Sequence, residues 1–158
     1  MGYNKYMKHK NNSTVSYLPL ILIAAVSIAS IYFINNRLTE KTNMSSNGSV
    51  NSLSKNDIVV GTGTEALKGS KVKVLYTGSL LSDSSVFDQN QNKDNPFSFT
   101  LGAGSVIAGW DQGIEGMKVG GKRELLIPPD LAYGDNGAGD KIPPKASLKF
   151  VVELISVE

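Results

Sequence analysis

Leu148-Lys149-Phe150-Val151-Val152-Glu153-Leu154 sets Leu148, Phe150, Val152 and Leu154 at every second position, with Lys149, Val151 and Glu153 between them. A period of two sends successive side chains to opposite faces of an extended chain, so this stretch reads as a strand with one buried face. The same period recurs upstream. Val72, Val74 and Tyr76 alternate with Lys71, Lys73 and Leu75; Phe97, Phe99 and Leu101 alternate with Ser98 and Thr100; Leu125 and Ile127 are flanked by Glu124 and Leu126. Ile58-Val59-Val60 adds a weaker strand. One short helix fits among them, over residues 106–115, with Ser105 as its cap and Gly116 as its stop. Irregular stretches at 82–95 and 130–144 separate the strands. The expected class is therefore α+β, an antiparallel sheet folded over a single helix.

The whole chain has 158 residues, enough for one ordinary domain and an appendage. Its net charge of +2 is too small to point to nucleic acid. There is no Cys, hence no disulfide framework, thiol nucleophile or thiolate metal site. The single His, His9, sits in the N-terminal tail, which removes imidazole triads and general bases.

Composition divides the chain into four segments. Residues 1–16 form a basic tail carrying Lys5, Lys8 and Lys10. Residues 17–35 are almost wholly apolar; the 18 residues 17–34, as a helix rising about 1.5 Å per residue, reach roughly 27 Å, close to a bilayer's apolar thickness. Pro19 falls in the first turn, and Tyr17, Tyr32 and Phe33 occupy interfacial positions. The expectation is a single-pass signal-anchor with its N-terminus cytoplasmic and the remainder extracytoplasmic. A cleaved signal peptide, with Ser27-Ile28-Ala29 as its small-x-small site and a secreted product, is the alternative. Residues 36–56 are rich in Ser, Asn and Thr and read as a flexible polar linker. Residues 57–158 form the folded domain, which holds the only Trp and five of the six Pro.

Two short motifs resemble binding sites and fail in context. Gly61-Thr62-Gly63-Thr64-Glu65-Ala66 fits G-x-G-x-x-A, but Lys68-Gly69-Ser70 follows where a helix would have to open. Gly134-Asp135-Asn136-Gly137-Ala138-Gly139-Asp140 lacks the ligand register and closing Glu of a calcium loop, so no metal or cofactor is expected. What remains are apolar side chains beside polar loops. Phe87-Asp88 lies in the 82–95 stretch, and Tyr133 and Ile142 bracket a Gly-rich one. Such residues suit the wall of a pocket better than a core.

These residues belong to a longer ordered set. It comprises Val74-Leu75-Tyr76-Thr77-Gly78, Phe87-Asp88, Pro96-Phe97-Ser98-Phe99, Gly102, Val106-Ile107-Ala108-Gly109-Trp110-Asp111, Gly116-Met117, Val119-Gly120, Ile127-Pro128-Pro129, Ala132-Tyr133-Gly134, Ile142-Pro143-Pro144 and Leu148 with Phe150. Over residues 57–158 it closely resembles the FKBP family of peptidyl-prolyl cis/trans isomerases. The resemblance implies a twisted antiparallel sheet wrapped around a short helix with an apolar pocket between them. Trp110 would form the floor; Tyr76, Phe97, Phe99, Val106, Ile107, Ile142 and Phe150 would bind substrate; Phe87, Asp88, Tyr133 and Ile142 would stand at the edge. Asp88, Tyr133, Phe87 and Trp110 would be the catalytic group, with the Tyr133 hydroxyl and the Ile107 N–H offered to ligand carbonyls. The implied partners are proline-containing polypeptides, with a preference for Leu or Phe before Pro, and macrolide inhibitors. The domain would act as a monomer.

That chemistry suits a chain without Cys or a usable His. Rotating an X-Pro amide breaks no covalent bond, and its barrier of about 18–20 kcal/mol comes from amide resonance. A dry aromatic pocket disfavours the planar, polar amide relative to the twisted one. The same apolar pocket also suits a chaperone or adaptor that grips such segments without turnover, and catalytic rate separates the two. Against the family pattern, Lys93 stands where an Arg often pairs with the Asp88 position, Ser105 replaces Glu, Ala138 replaces His, and Lys141 replaces an apolar residue. These departures bear on ligand affinity more than on activity.

Overall fold

A computed structural model describes residues 48–158. The basic tail, the apolar stretch expected to be an anchor and most of the linker lie outside the described residues. Among the described residues no helix is long and apolar enough to cross a membrane.

The strands are β1 (Ser54–Val59), β2 (Lys71–Leu80), β3 (Val86–Asn90), β4 (Phe97–Thr100), β5 (Lys122–Ile127) and β6 (Leu148–Val157), with one helix, α1 (Ala108–Ile114). They form one antiparallel sheet in the order β1-β5-β6-β2-β3, and β4 pairs with β2 beside β3. β2 and β6 are the long central pair, matched from Leu80–Leu148 at one end to Val72–Val157 at the other. The period of two holds along β6: Leu148, Phe150, Val152 and Leu154 are buried, and the residues between them face partly to solvent.

The helix is shorter than residues 106–115. Ile107 precedes its first turn and no side chain caps it, so Ser105 is not the cap. The stabilising contact runs the other way. Asp111, in the first turn, accepts hydrogen bonds from the N–H groups of Gly102 (2.8 Å) and Gly104 (3.0 Å). Positive φ angles at both glycines turn the approaching backbone so that these N–H groups face the carboxylate. Gly116, with φ of +80°, ends the helix as expected.

α1 presses on β5 through two glycines. A Cβ at Gly109 would stand 2.4 Å from Cγ2 of Ile127, and one at Gly113 would stand 2.7 Å from Cδ1 of Leu125. Ile127 is fully buried and branched at Cβ, which carries the clashing methyl, so it cannot swing clear. Gly109→Ala is therefore expected to destabilise the domain by about 1–3 kcal/mol, overpacking outweighing the gain in helix propensity. Equilibrium urea unfolding measures this, and an unchanged midpoint would refute the close approach.

Two boundaries differ from expectation. The folded part begins before residue 57: β1 starts at Ser54, Leu53 packs on the core, and Val50 is 2% exposed, its N–H donating to Ser147 Oγ at 3.1 Å. Val50 and Leu53 are single apolar anchors in a Ser/Asn-rich stretch, so composition averages hide them. β3 lies inside the stretch 82–95 expected to be irregular. It is a short edge strand, exposed along most of its length, and therefore carries no apolar alternation. Residues 61–66 form a connection rather than a nucleotide loop: Gly63 N–H bonds Val119 O, Ala66 N–H bonds Met117 O, and no helix follows.

Candidate active site

Between the concave face of the sheet and the N-terminal end of α1 is a pocket of about 200 Å³. It is lined by Tyr76, Phe87, Asp88, Phe97, Ser105, Val106, Ile107, Trp110, Tyr133 and Phe150. They come from four strands, the helix and its approach, and one loop. Tyr76 stands on β2, Phe87 and Asp88 on β3, Phe97 on β4 and Phe150 on β6. Ser105, Val106 and Ile107 enter α1, Trp110 lies within it, and Tyr133 sits after the short 3-10 turn Pro129–Leu131.

Trp110 is the hub. Its centroid lies 5.0 Å from Tyr76 (80° between planes), 5.2 Å from Phe150 (85°) and 6.0 Å from Phe97 (77°), all edge-to-face. Phe87 meets Phe150 edge-on at 5.6 Å. Such contacts set the positive ring edge against the negative face, adding about 0.5–1.5 kcal/mol per pair beyond area burial and fixing the rings in place. Gly78 makes room behind them, since a Cβ there would come within 2.6 Å of Phe150 and 2.8 Å of Phe87. Trp110 is only 4% exposed yet lines the pocket, as a floor should.

Two expected substrate-binding residues do not line this pocket. Phe99 is 7% exposed and stands behind the wall, stacked on Phe97 (5.7 Å, 28°) and tilted against Trp110. It shares a strand face with Phe97, but Phe97, at the strand's open end, is 38% exposed and reaches the cavity. Ile142 borders a neighbouring hollow of about 410 Å³ formed with Ala138, Gly139, Asp140 and Lys141, which shares Phe87, Asp88 and Tyr133 with the first. Ser105, which the family resemblance places at the rim as a departure from Glu, does line the pocket.

The polar groups are few. The Tyr76 hydroxyl donates to Asp88 Oδ2 at 2.7 Å. Asp88 has no ion-pair partner among the described residues, so the Lys93 contact suggested by the family pattern is replaced by the phenol. Lys141 Nζ donates to Phe87 O at 3.2 Å, joining the 130–144 segment to β3. The Ile107 carbonyl accepts from Trp110 N–H and Asp111 N–H, whereas the Ile107 N–H has no partner among the described residues, and Ile107 lines the pocket.

Burial, reinforced by the bond to Asp88, pushes the Tyr76 phenol up to about 12. Because the folded value lies above the unfolded value of about 10, this contribution to stability is complete below pH ~10 and is lost as pH rises through ~12. Ultraviolet difference titration of the chain against a Tyr76→Phe variant is expected to show one phenol ionising near that upper value. A midpoint at that of free tyrosine would refute the burial.

A sheet folded over one helix, with a pocket whose wall of aromatic rings stands beside Asp88, Ser105 and Tyr133, defines the class: a protein with a site for an apolar segment. The model for FKBP-type peptidyl-prolyl cis-trans isomerase matches residues 63–155. "FK506-binding protein 2" of Candida glabrata is 56% identical over 93 residues, 59% of this chain and 68% of that protein. "Peptidyl-prolyl cis-trans isomerase FPR2" of Saccharomyces cerevisiae is 54% identical over 94 residues, 60% of this chain and 70% of that protein. The crystal structure of AtFKBP13 superposes with a TM-score of 0.61 at 47% identity, covering 67% of this chain and 93% of that one. The chain belongs to the FKBP-type family and is a peptidyl-prolyl cis-trans isomerase.

Proposed function

We propose that the enzyme speeds rotation about X-Pro bonds by seating the prolyl ring on Trp110 and stripping water from the amide, and that it does so for exported or membrane-proximal polypeptides. The observation that carries the catalytic part is the indole floor ringed edge-on by Tyr76, Phe97 and Phe150. In water the planar amide is favoured by resonance, and uncatalysed exchange takes tens to hundreds of seconds. Twisting the bond removes that resonance and lowers the polarity of the carbonyl. An apolar cavity therefore favours the twisted state over the planar one, and the difference appears as rate. The free Ile107 N–H and the Tyr133 hydroxyl hold flanking carbonyls, and Asp88, held by Tyr76, shapes the rim beside Phe87. Macrolides that mimic the twisted prolyl segment compete for the same cavity.

Acceleration of cis/trans exchange in a Leu-Pro peptide tests this, together with quenching of Trp110 fluorescence by FK506. Exchange at the background rate would leave a binding module.

The setting rests on the apolar run at residues 17–34 behind Lys5, Lys8 and Lys10, which supports a signal-anchor that leaves the domain extracytoplasmic on a polar tether. Membrane fractionation and sequencing of the mature N-terminus test it. A soluble chain beginning after Ala29 would replace the anchor with a cleaved signal.

A further inference from the structure

We propose that Asn136-Gly137 is a spontaneous succinimide-forming site that ages the rim of the pocket. The chain has two Asn-Gly steps, and this one lies in the 130–144 segment between Tyr133 and Ile142. Asn136 is exposed, and among the described residues its side-chain amide makes no hydrogen bond and the Gly137 N–H has no partner. Both reacting groups are thus uncommitted. The other asparagines near the pocket are held or blocked. Asn90 Nδ2 donates to Asn95 O and its Oδ1 accepts from Asn92 N–H, Asn92 Oδ1 accepts from Asp94 N–H, and Asn95 precedes Pro96, which has no N–H to attack with.

The fold fixes the glycine half of this step. Gly137 has φ of +66°, and a Cβ there would lie 2.2 Å from Ile142 O and 2.7 Å from the Pro143 carbonyl carbon. Only glycine fits, and glycine is also the residue whose amide nitrogen is least crowded.

The Gly137 nitrogen loses its proton to solvent base and attacks Asn136 Cγ. A C–N bond forms, the Cγ–Nδ2 bond breaks and ammonia leaves. Water then opens the five-membered imide at either carbonyl, giving aspartate or isoaspartate. No oxidant or reductant is involved. Isoaspartate routes the main chain through Cβ and Cγ, inserting one carbon just before the pair of bonds that tie Ala138 N–H to Ile142 O (2.9 Å) and Ile142 N–H to Ala138 O (3.1 Å). Both products add a negative charge beside Asp135 and Asp140. The edge formed by Tyr133 and Lys141 shifts in consequence.

The full chain is incubated in mildly alkaline buffer and peptide-mapped by mass spectrometry with isoaspartate detection. Asn136 is expected to convert at least about 10-fold faster than Asn90 or Asn92, with kcat/KM on a Leu-Pro peptide falling about 3-fold as it does. N136Q should keep its activity through the same incubation, which separates this site from Asn47-Gly48. Conversion no faster than at Asn90 and Asn92 overturns the site. Full activity in the converted chain, or equal loss in aged N136Q, overturns its reach into the pocket.

Discussion

Replacing Phe87 by Ala together with Asp88 by Val is expected to lower kcat/KM on X-Pro peptides by about 100-fold, roughly 2.7 kcal/mol of transition-state stabilisation, while the domain still melts in one cooperative step. Phe87 closes one side of the cavity and packs edge-on against Phe150. Losing its ring lets water reach the amide that must be kept dry. Asp88 accepts the Tyr76 hydroxyl. Losing it leaves a phenol without its partner on the wall facing Trp110. Both residues lie on an edge strand that is largely exposed, so stability should fall far less than activity. Unchanged turnover in the double variant would show that the amide is held elsewhere, and the pocket assignment would fail.

The second large effect is on stability. Arg123→Ala is expected to cost about 3–4 kcal/mol, read as a shift in the urea midpoint at constant slope. Arg123 follows the inward face of β5 with Leu125 and Ile127 and is only 8% exposed. Its Nε and Nη2 grip both carboxylate oxygens of Asp57 at 2.6 and 3.0 Å. Nη1 donates to the carbonyls of Gly113 (2.8 Å) and Glu115 (3.2 Å) at the C-terminal end of α1. One guanidinium thus ties β1, β5 and the helix together, and cancels the negative end of the helix that carries Trp110. Arg123→Met should recover part of the loss by refilling the stem's volume, because Asp57 is exposed enough to be resolvated. Arg123→Lys should recover little, since an ammonium cannot grip bidentately. A cost for Arg123→Ala below about 1 kcal/mol would make the network no more than a surface ion pair.

Legibility in the sequence varied with how local the signal was. The alternation at Leu148–Leu154, and the pair Leu125 and Ile127, marked strands whose inward residues are buried, because one buried face repeats every second residue wherever the strand pairs. β3 had no such mark because both its faces are mostly exposed. The first turn of α1 departs from expectation for a related reason. Ser105 has the chemistry of a cap, but capping is a matter of geometry, and the bonds that settle this turn come backwards from Asp111 to Gly102 and Gly104.

The candidate site shows the same division. Nine residues expected from motif resemblance do surround one cavity, yet Phe99 supports the wall from behind and Ile142 faces the adjoining hollow. The partner of Asp88 was not legible either. A carboxylate and a phenol twelve residues apart meet only because β2 and β3 pair in the register Gly78–Asp88.

By itself, then, the amino-acid order determined which apolar residues of β5 and β6 turn inward, that the class is α+β with one helix, and that no thiol or imidazole chemistry is available to the domain. Those are properties of residue type and spacing, which the chain carries before it folds. Only the tertiary structure decided which aromatic rings face the cavity, that Arg123 is buried, and that Tyr76 rather than Lys93 holds Asp88. Each of these depends on a distance between strands or between strand and helix, and such distances come from register and close packing, which no local spacing encodes.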